Sequence, residues 1–300
     1  MIIKHILPLY KGFTLFIALT ILLWGCGDGN ELKDSVEDAK TDSTASNVLE
    51  LGNVVFCIPS PIQTAILVKD VGASYDKKLL NSPGNKSSYS TNFQKALNLG
   101  VYGADLGYVT IYEQPQDGIN YLNTVKDLAD DIGVASAFSP EIMKRISENI
   151  GNQDSLLTMV SSCYRSLNAF LKENERDDVC ALVLAGGWIE STYFVTKISG
   201  ILKSQELVNR IGEQKSTLSN LIKLIEPYYN DPQFTELLDQ LYNIADDFDG
   251  VIVKYEYAKP TVNESKKLTI INSNSKVTIT EEEIQVIREK IEALRNQIVG

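Results

Sequence analysis

The sequence predicts an all-α fold: an antiparallel multi-helix domain, either a bundle or a set of helical hairpins. A small C-terminal β-hairpin and one further helix close it. Three observations predict this. From Pro59 onward the apolar residues recur at helical spacing rather than alternating. Turn-forming pairs interrupt that run at helix-length intervals: Ser82-Pro83-Gly84, Gln114-Pro115, Ser139-Pro140, Gly151-Asn152 and Asp231-Pro232. Lys267 to Thr280 (KLTIINSNSKVTIT) then changes to two short β-rich runs around Asn272 to Ser275, which reads as a hairpin. With 300 residues, 44% hydrophobic and 22% charged, the chain can bury a sizeable core. Its net charge of −11, from 28 basic against 39 acidic residues, excludes a nucleic-acid binder driven by phosphate neutralisation.

Taken in order, residues 1–25 come first. Lys4, His5 and Lys11 make a basic start without an acid, and Phe13 to Trp24 is an apolar run of 12 residues. That length suits a signal-peptide core and is too short to span a bilayer. The run ends in Leu23-Trp24-Gly25-Cys26, which resembles the lipobox of bacterial lipoproteins, where a small residue precedes a cysteine that is lipidated. Leu23, Gly25 and Cys26 match; Trp24 is bulky for its place. The resemblance implies a palmitate-type acyl anchor on Cys26, a mature chain beginning there, and membrane attachment through it. Gly27 is not the aspartate that marks inner-membrane retention in enteric lipoproteins, so the implied address is the outer membrane, on either face. Residues 26–50 lack aromatics and are rich in Asp, Ser, Thr and Asn, the composition of a flexible acidic tether. An acidic body tethered beside anionic lipid is expected to stand off from it.

The helical domain is expected over 51–257, with helices near 60–80, 91–114, 117–132, 139–150, 153–175, 177–200, 204–228 and 232–256. Short connections favour antiparallel neighbours. Residues 97–112 and 179–194 are apolar almost all round, which marks central helices. Gly100, Gly103, Gly107, Gly186 and Gly187 inside them cost about 1 kcal/mol each in helix propensity, so close helix approach is the expected reason for keeping them. The hairpin and final helix occupy 258–300. Thr280 with Glu283 forms a capping box, and Ile284, Ile287, Ile291, Leu294 and Ile298 form a narrow seam. That seam either packs on the body or, over 281–299, meets a protein partner or a second copy.

Little in the residues points to catalysis. His5 is the one histidine and lies in the removable segment, which excludes Ser-His, Cys-His and histidine-metal arrangements from the mature chain. Cys57, Cys163 and Cys180 remain besides Cys26. In a hairpin of 153–175 on 177–200, Cys163 and Cys180 would lie on the order of 13 Å apart, beyond disulfide reach; buried thiols are expected. Ala245 to Glu256 imitates a calcium loop, with Asp247, Asp249, Gly250 and Glu256 in place. Ala245 stands where the first ligand belongs, however, and helical spacing runs straight through the segment. No metal and no cofactor are expected.

The strongest constellation is acidic. Asp105 sits mid-helix on a stripe with Asn98, Tyr102 and Tyr108, and Glu190 on another with Gly186, Gly187, Tyr193 and Lys197. Lys69 is a third ionisable residue at an apolar face. Charges in such surroundings need partners, so a buried network of Lys69, Tyr102, Asp105, Tyr108, Glu190 and Tyr193 is one reading. The other puts Asp105 and Glu190 across a pocket as general acid and base on a sugar or similar bond, with Trp188 and the tyrosines as a stacking wall. Phe56 to Pro61, Leu99 to Tyr108 and Gly186 to Glu190 resemble segments of uncharacterised helical envelope lipoproteins, which implies a helical fold and no activity. The expectation is a lipid-anchored envelope protein acting as a non-catalytic binding or interaction module. A carboxylate-dependent enzyme or small-ligand binder using Asp105 and Glu190 is the alternative.

Overall fold

The computed structural model describes residues 48–51, 54–57, 61–137, 140–149, 166–167, 169–170, 173–263, 268–270 and 272–300. The lipobox with Cys26, the tether as far as residue 47, Cys163 and most of the helix expected over 153–175 lie outside the described residues.

The described chain begins with an unexpected hairpin, β1 (Val48–Leu51) antiparallel to β2 (Val54–Cys57), so the expected tether end at residue 50 falls inside a strand. Helices α1 (Pro61–Asp70), α2 (Asn92–Ile111), α3 (Pro115–Asp131), α4 (Pro140–Glu148), α5 (Asp177–Ser199), α6 (Gln205–Ile225) and α7 (Pro232–Asp247) follow. Helix α1 is shorter than the expected 60–80. It stops in a Schellman turn at Gly72, whose φ of 90° favours glycine, with Gly72 N–H donating to Lys69 O and Ala73 N–H to Val68 O. Residues 76–89 then form two short 3₁₀ turns rather than helix.

Helices α2 and α3 run antiparallel, as expected, whereas α1 and α2 do not, with Ile62 against Gly107 and Lys69 reaching Ile111. Lys95 near the start of α2 pairs with Asp131 at the end of α3 at 2.8 Å, and further along Tyr102 meets Tyr121 at 6.2 Å between ring centres. The two glycine-bearing helices form the centre but run parallel to each other. Gly100 faces Val183 and Gly187, Asp105 meets Glu190, and Tyr108 lies 5.0 Å from Phe194. Their crossing is tight: a Cβ on Gly100 would sit 2.0 Å from the Val183 carbonyl oxygen, and one on Gly186 1.8 Å from that of Leu97. Helix α5 is long and apolar enough to cross a membrane, but 94% of its apolar window is buried inside the protein. Its hydrophobicity is that of a core helix.

Two expectations about the tail are corrected. Helix α7 ends at Asp247, and the chain turns into β3 (Ile252–Glu256), so the helical spacing through the imitation calcium loop does not reflect a helix. That loop is not a cation site either: Glu256 is drawn out along a strand and Asp247 pairs with Lys290 at 2.5 Å. The runs around Asn272 to Ser275 do not pair with each other. Instead β4 (Thr261–Asn263) pairs with β5 (Leu268–Ile270), and β3 with β6 (Asn274–Thr278), making one long ribbon interrupted midway. A domain boundary at 257 would cut this ribbon.

The Thr280–Glu283 capping box forms as the sequence predicts and starts α8 (Glu281–Val299). Ile284, Ile287, Ile291 and Leu294 are buried against the chain's own helices, with Val299 rather than Ile298 completing the seam. Lys197–Glu292 at 2.9 Å and Arg288 Nε donating to Thr196 O at 2.7 Å fix α8 antiparallel to α5. The seam that a partner helix or second copy would need is covered at home. Residues 44–300 form one compact unit.

Candidate functional site

Helix α2 carries Asp105, α5 carries Glu190, and α8 brings Arg295 to both. Asp105 and Glu190 are fully buried. Arg295 grips Glu190 with two bonds, Nε to Oε2 and Nη2 to Oε1, each 2.9 Å, and its Nη2 also donates to Leu79 O at 3.2 Å. The guanidinium lies over the Tyr193 ring, 4.8 Å from its centre, so the charge is met by an aromatic face as well as by the carboxylate. Burial pulls the Arg295 pKa down, but the bonds and charge of Glu190 outweigh it and hold the arginine firmly cationic.

The second acid is held differently. Asp105 Oδ2 accepts from Asn81 N–H at 3.2 Å, while buried Oδ1 has no donor within reach. Its carboxyl group lies within electrostatic reach of Glu190. Two carboxyl groups buried together repel when both are ionised, so the pair retains a proton. Burial first, and the Glu190 charge second, raise Asp105 well above the ordinary carboxyl range. Burial also raises Glu190, but the Arg295 bonds and charge pull it back. Glu190, gripped by Arg295, therefore carries the charge, and the proton is held on Asp105.

Residues 76–82 lie over this cluster, their backbone held by buried side chains from several helices. Asp76 N–H donates to the Tyr108 hydroxyl at 3.1 Å; Tyr121 OH donates to Asn81 O at 2.9 Å and Tyr102 OH to Ser82 O at 2.7 Å. Asn81 Nδ2 bonds to both the Tyr89 hydroxyl and Asn98 Oδ1. Tyr89 and Asn98 in turn donate to the carbonyls of Val299 and Ile298, tying down the end of α8. A polar groove of about 490 Å³ lies outside this segment, lined by Lys77, Ser82, Lys86, Asp117, Tyr121 and Asp127 among others. Its charges are already matched, Lys77 with Asp117 at 2.5 Å and Lys86 with Asp127. Neither Asp105 nor Glu190 lines it.

Of the expected network, Asp105, Glu190 and Tyr193 meet around Arg295, whereas Tyr102 and Tyr108 bond the backbone of residues 76–82 instead. Lys69 does not join them: it is 36% exposed, donating to Ile111 O at 2.7 Å and pairing with Glu113. Trp188 is no stacking wall, since it is buried with Nε1 donating to Gln214. Cys180 is buried, and burial pushes its thiol up to about 12. Among the described residues no His, Cys, Asp and Glu group is arranged to hold a metal. Arg295 is the member that sequence reasoning missed. Its signal was spacing: Arg288 and Arg295 lie seven residues apart beside the apolar seam, and both reach α5. Comparison with family models, with curated proteins and with solved structures finds no match for this chain.

Proposed function

We propose that this chain is a lipid-anchored protein of the cell envelope, held to the outer membrane through Cys26, whose body is a non-catalytic binding or interaction module. The observation that carries the non-catalytic part is the closure of the acidic pair. A general acid must reach the proton acceptor on its substrate within hydrogen-bond distance. Asp105 and Glu190 instead have 0% exposure, face Arg295 and residues 76–82, and do not line the polar groove outside that segment. Their adjacency is what a carboxylate-dependent enzyme or ligand site would want, but the arginine clamp and the overlying segment make it a structural lock. The anchor rests on the basic start, the 12-residue apolar core and Leu23-Trp24-Gly25-Cys26.

Metabolic labelling with a fatty-acid probe tests the anchor. The full chain should take up label and Cys26→Ser should take up none; label retained in the variant would remove the lipobox reading. Turnover of a glycan panel by purified protein, abolished by Asp105→Asn, would replace the binding module with the enzyme.

A further inference from the structure

The β3–β6 ribbon differs from the rest of the described surface. Of the eleven large hydrophobic side chains exposed there, six lie on it: Ile252, Val253, Tyr255, Tyr257, Val262 and Ile270. In a chain of net charge −11 it is also basic, with Lys254, Lys259 and Lys276 against Glu256 among its described residues. Lys254 stands directly opposite Lys276 in the ladder. Like charges so placed repel, and neither lysine has an ion pair among the described residues, so an anionic surface is the missing complement.

Three features say what that surface is. First, residues opposite or alternate in a ladder share a face. Val253 and Tyr255 therefore lie on one face and Ile252 on the other; near the tip Val262 and Ile270 also divide between faces. A protein docking on one face would leave the other's apolar groups in water, whereas a bilayer interface surrounds both. Second, tyrosine rings and lysine stems suit that boundary, with apolar bodies and polar ends. Third, among the described residues the ribbon is seated at its root, where Val277 tucks over Gly212 of α6; a Cβ there would come within 2.2 Å of Val277. Strand β2, through which the chain arrives from its N-terminal segment, rests on the same helix.

We propose that the ribbon is a membrane-docking arm that lays its tyrosines and lysines into an anionic phospholipid surface. The proposal rests on the Cys26 reading only for bringing that surface near. The full chain carrying Tyr255→Trp tests it on vesicles with and without phosphatidylglycerol, read as a difference from the parent chain because Trp188 is buried. Expected is a blue-shifted emission, quenched by spin-labelled lipid, only on phosphatidylglycerol vesicles and reversed by high salt. Over 252–278 five lysines stand against two glutamates, and three net positive charges should give a preference for anionic lipid on the order of 100-fold. Adding Lys254→Glu and Lys276→Glu, both exposed, should abolish it. Solvent-like emission on anionic vesicles overturns the proposal; so does a shift that tracks protein concentration regardless of lipid, which would make the occupant a second copy. Flotation with phosphatidylcholine vesicles, parent against Cys26→Ser, reports the anchor separately. An anchor without an emission shift in the Tyr255→Trp chain removes the arm, and a shift without an anchor removes the lipobox reading.

Discussion

Asp105 and Glu190 are two carboxylates in one dry site, and their roles divide through Arg295. Glu190→Gln removes the charge that compensates Arg295, and leaving a buried charge unpaired typically costs 3–5 kcal/mol. In a domain this size that is on the order of 10 °C in melting temperature. Asp105→Asn keeps an acceptor for Asn81 N–H and cannot ionise beside Glu190, so its melting temperature should equal or exceed that of the parent chain at neutral pH. Equal damage from both, read by thermal unfolding, would mean that Asp105 does not hold the proton. The sign of the pH effect follows. The unfolded chain releases the Asp105 proton above about pH 4, whereas the folded chain retains it because its pKa is raised. Stability from this group is thus fully present below about pH 4 and falls as pH rises through the window up to the folded pKa, by up to about 1.4 kcal/mol per pH unit. Acidification from neutral pH toward about 5 should stabilise the parent chain relative to Asp105→Asn, as denaturant titrations at matched pH would show. Both acids were legible in the sequence because a charge on an apolar helix is conspicuous. Arg295 was not: beside a seam on a polar helix it reads as a solvated side chain.

At the scale of elements, Gly100 and Gly186, which weaken α2 and α5 as isolated helices, permit their crossing. Gly100→Ala or Gly186→Ala would drive a methyl into a backbone carbonyl at about half a contact distance, where no rotamer change relieves it. Either should cost about 3 kcal/mol, seen as a lower denaturant midpoint with unchanged slope; a neutral result would show that the crossing is looser than described. The central helices, the α2–α3 hairpin and the Thr280 cap were readable because propensity, period and capping agree there. The α7–β3 junction was not. Ile252 and Tyr255 continue a helical spacing by coincidence, and β3 finds its partner β6 well beyond the reach of a local window. The β1–β2 hairpin failed for the opposite reason: its four-residue strands carry too few alternations to outweigh the polar tether before them.

For the whole molecule, the direction of the α2–α5 pair was illegible because the two helices are not neighbours in sequence and no connection length constrains them. The same distance governs the site. Glu190 and Arg295 are 105 residues apart, and Arg295 and Leu79 are 216 apart. Closing contacts so remote loses chain entropy before it gains any bond. A ribosome makes Asp105 first, Glu190 next and Arg295 last. While α8 is still unmade, a core that swallowed both acids would hold Glu190 without its cation. Until α8 emerges, the growing chain therefore lacks the cation that compensates buried Glu190.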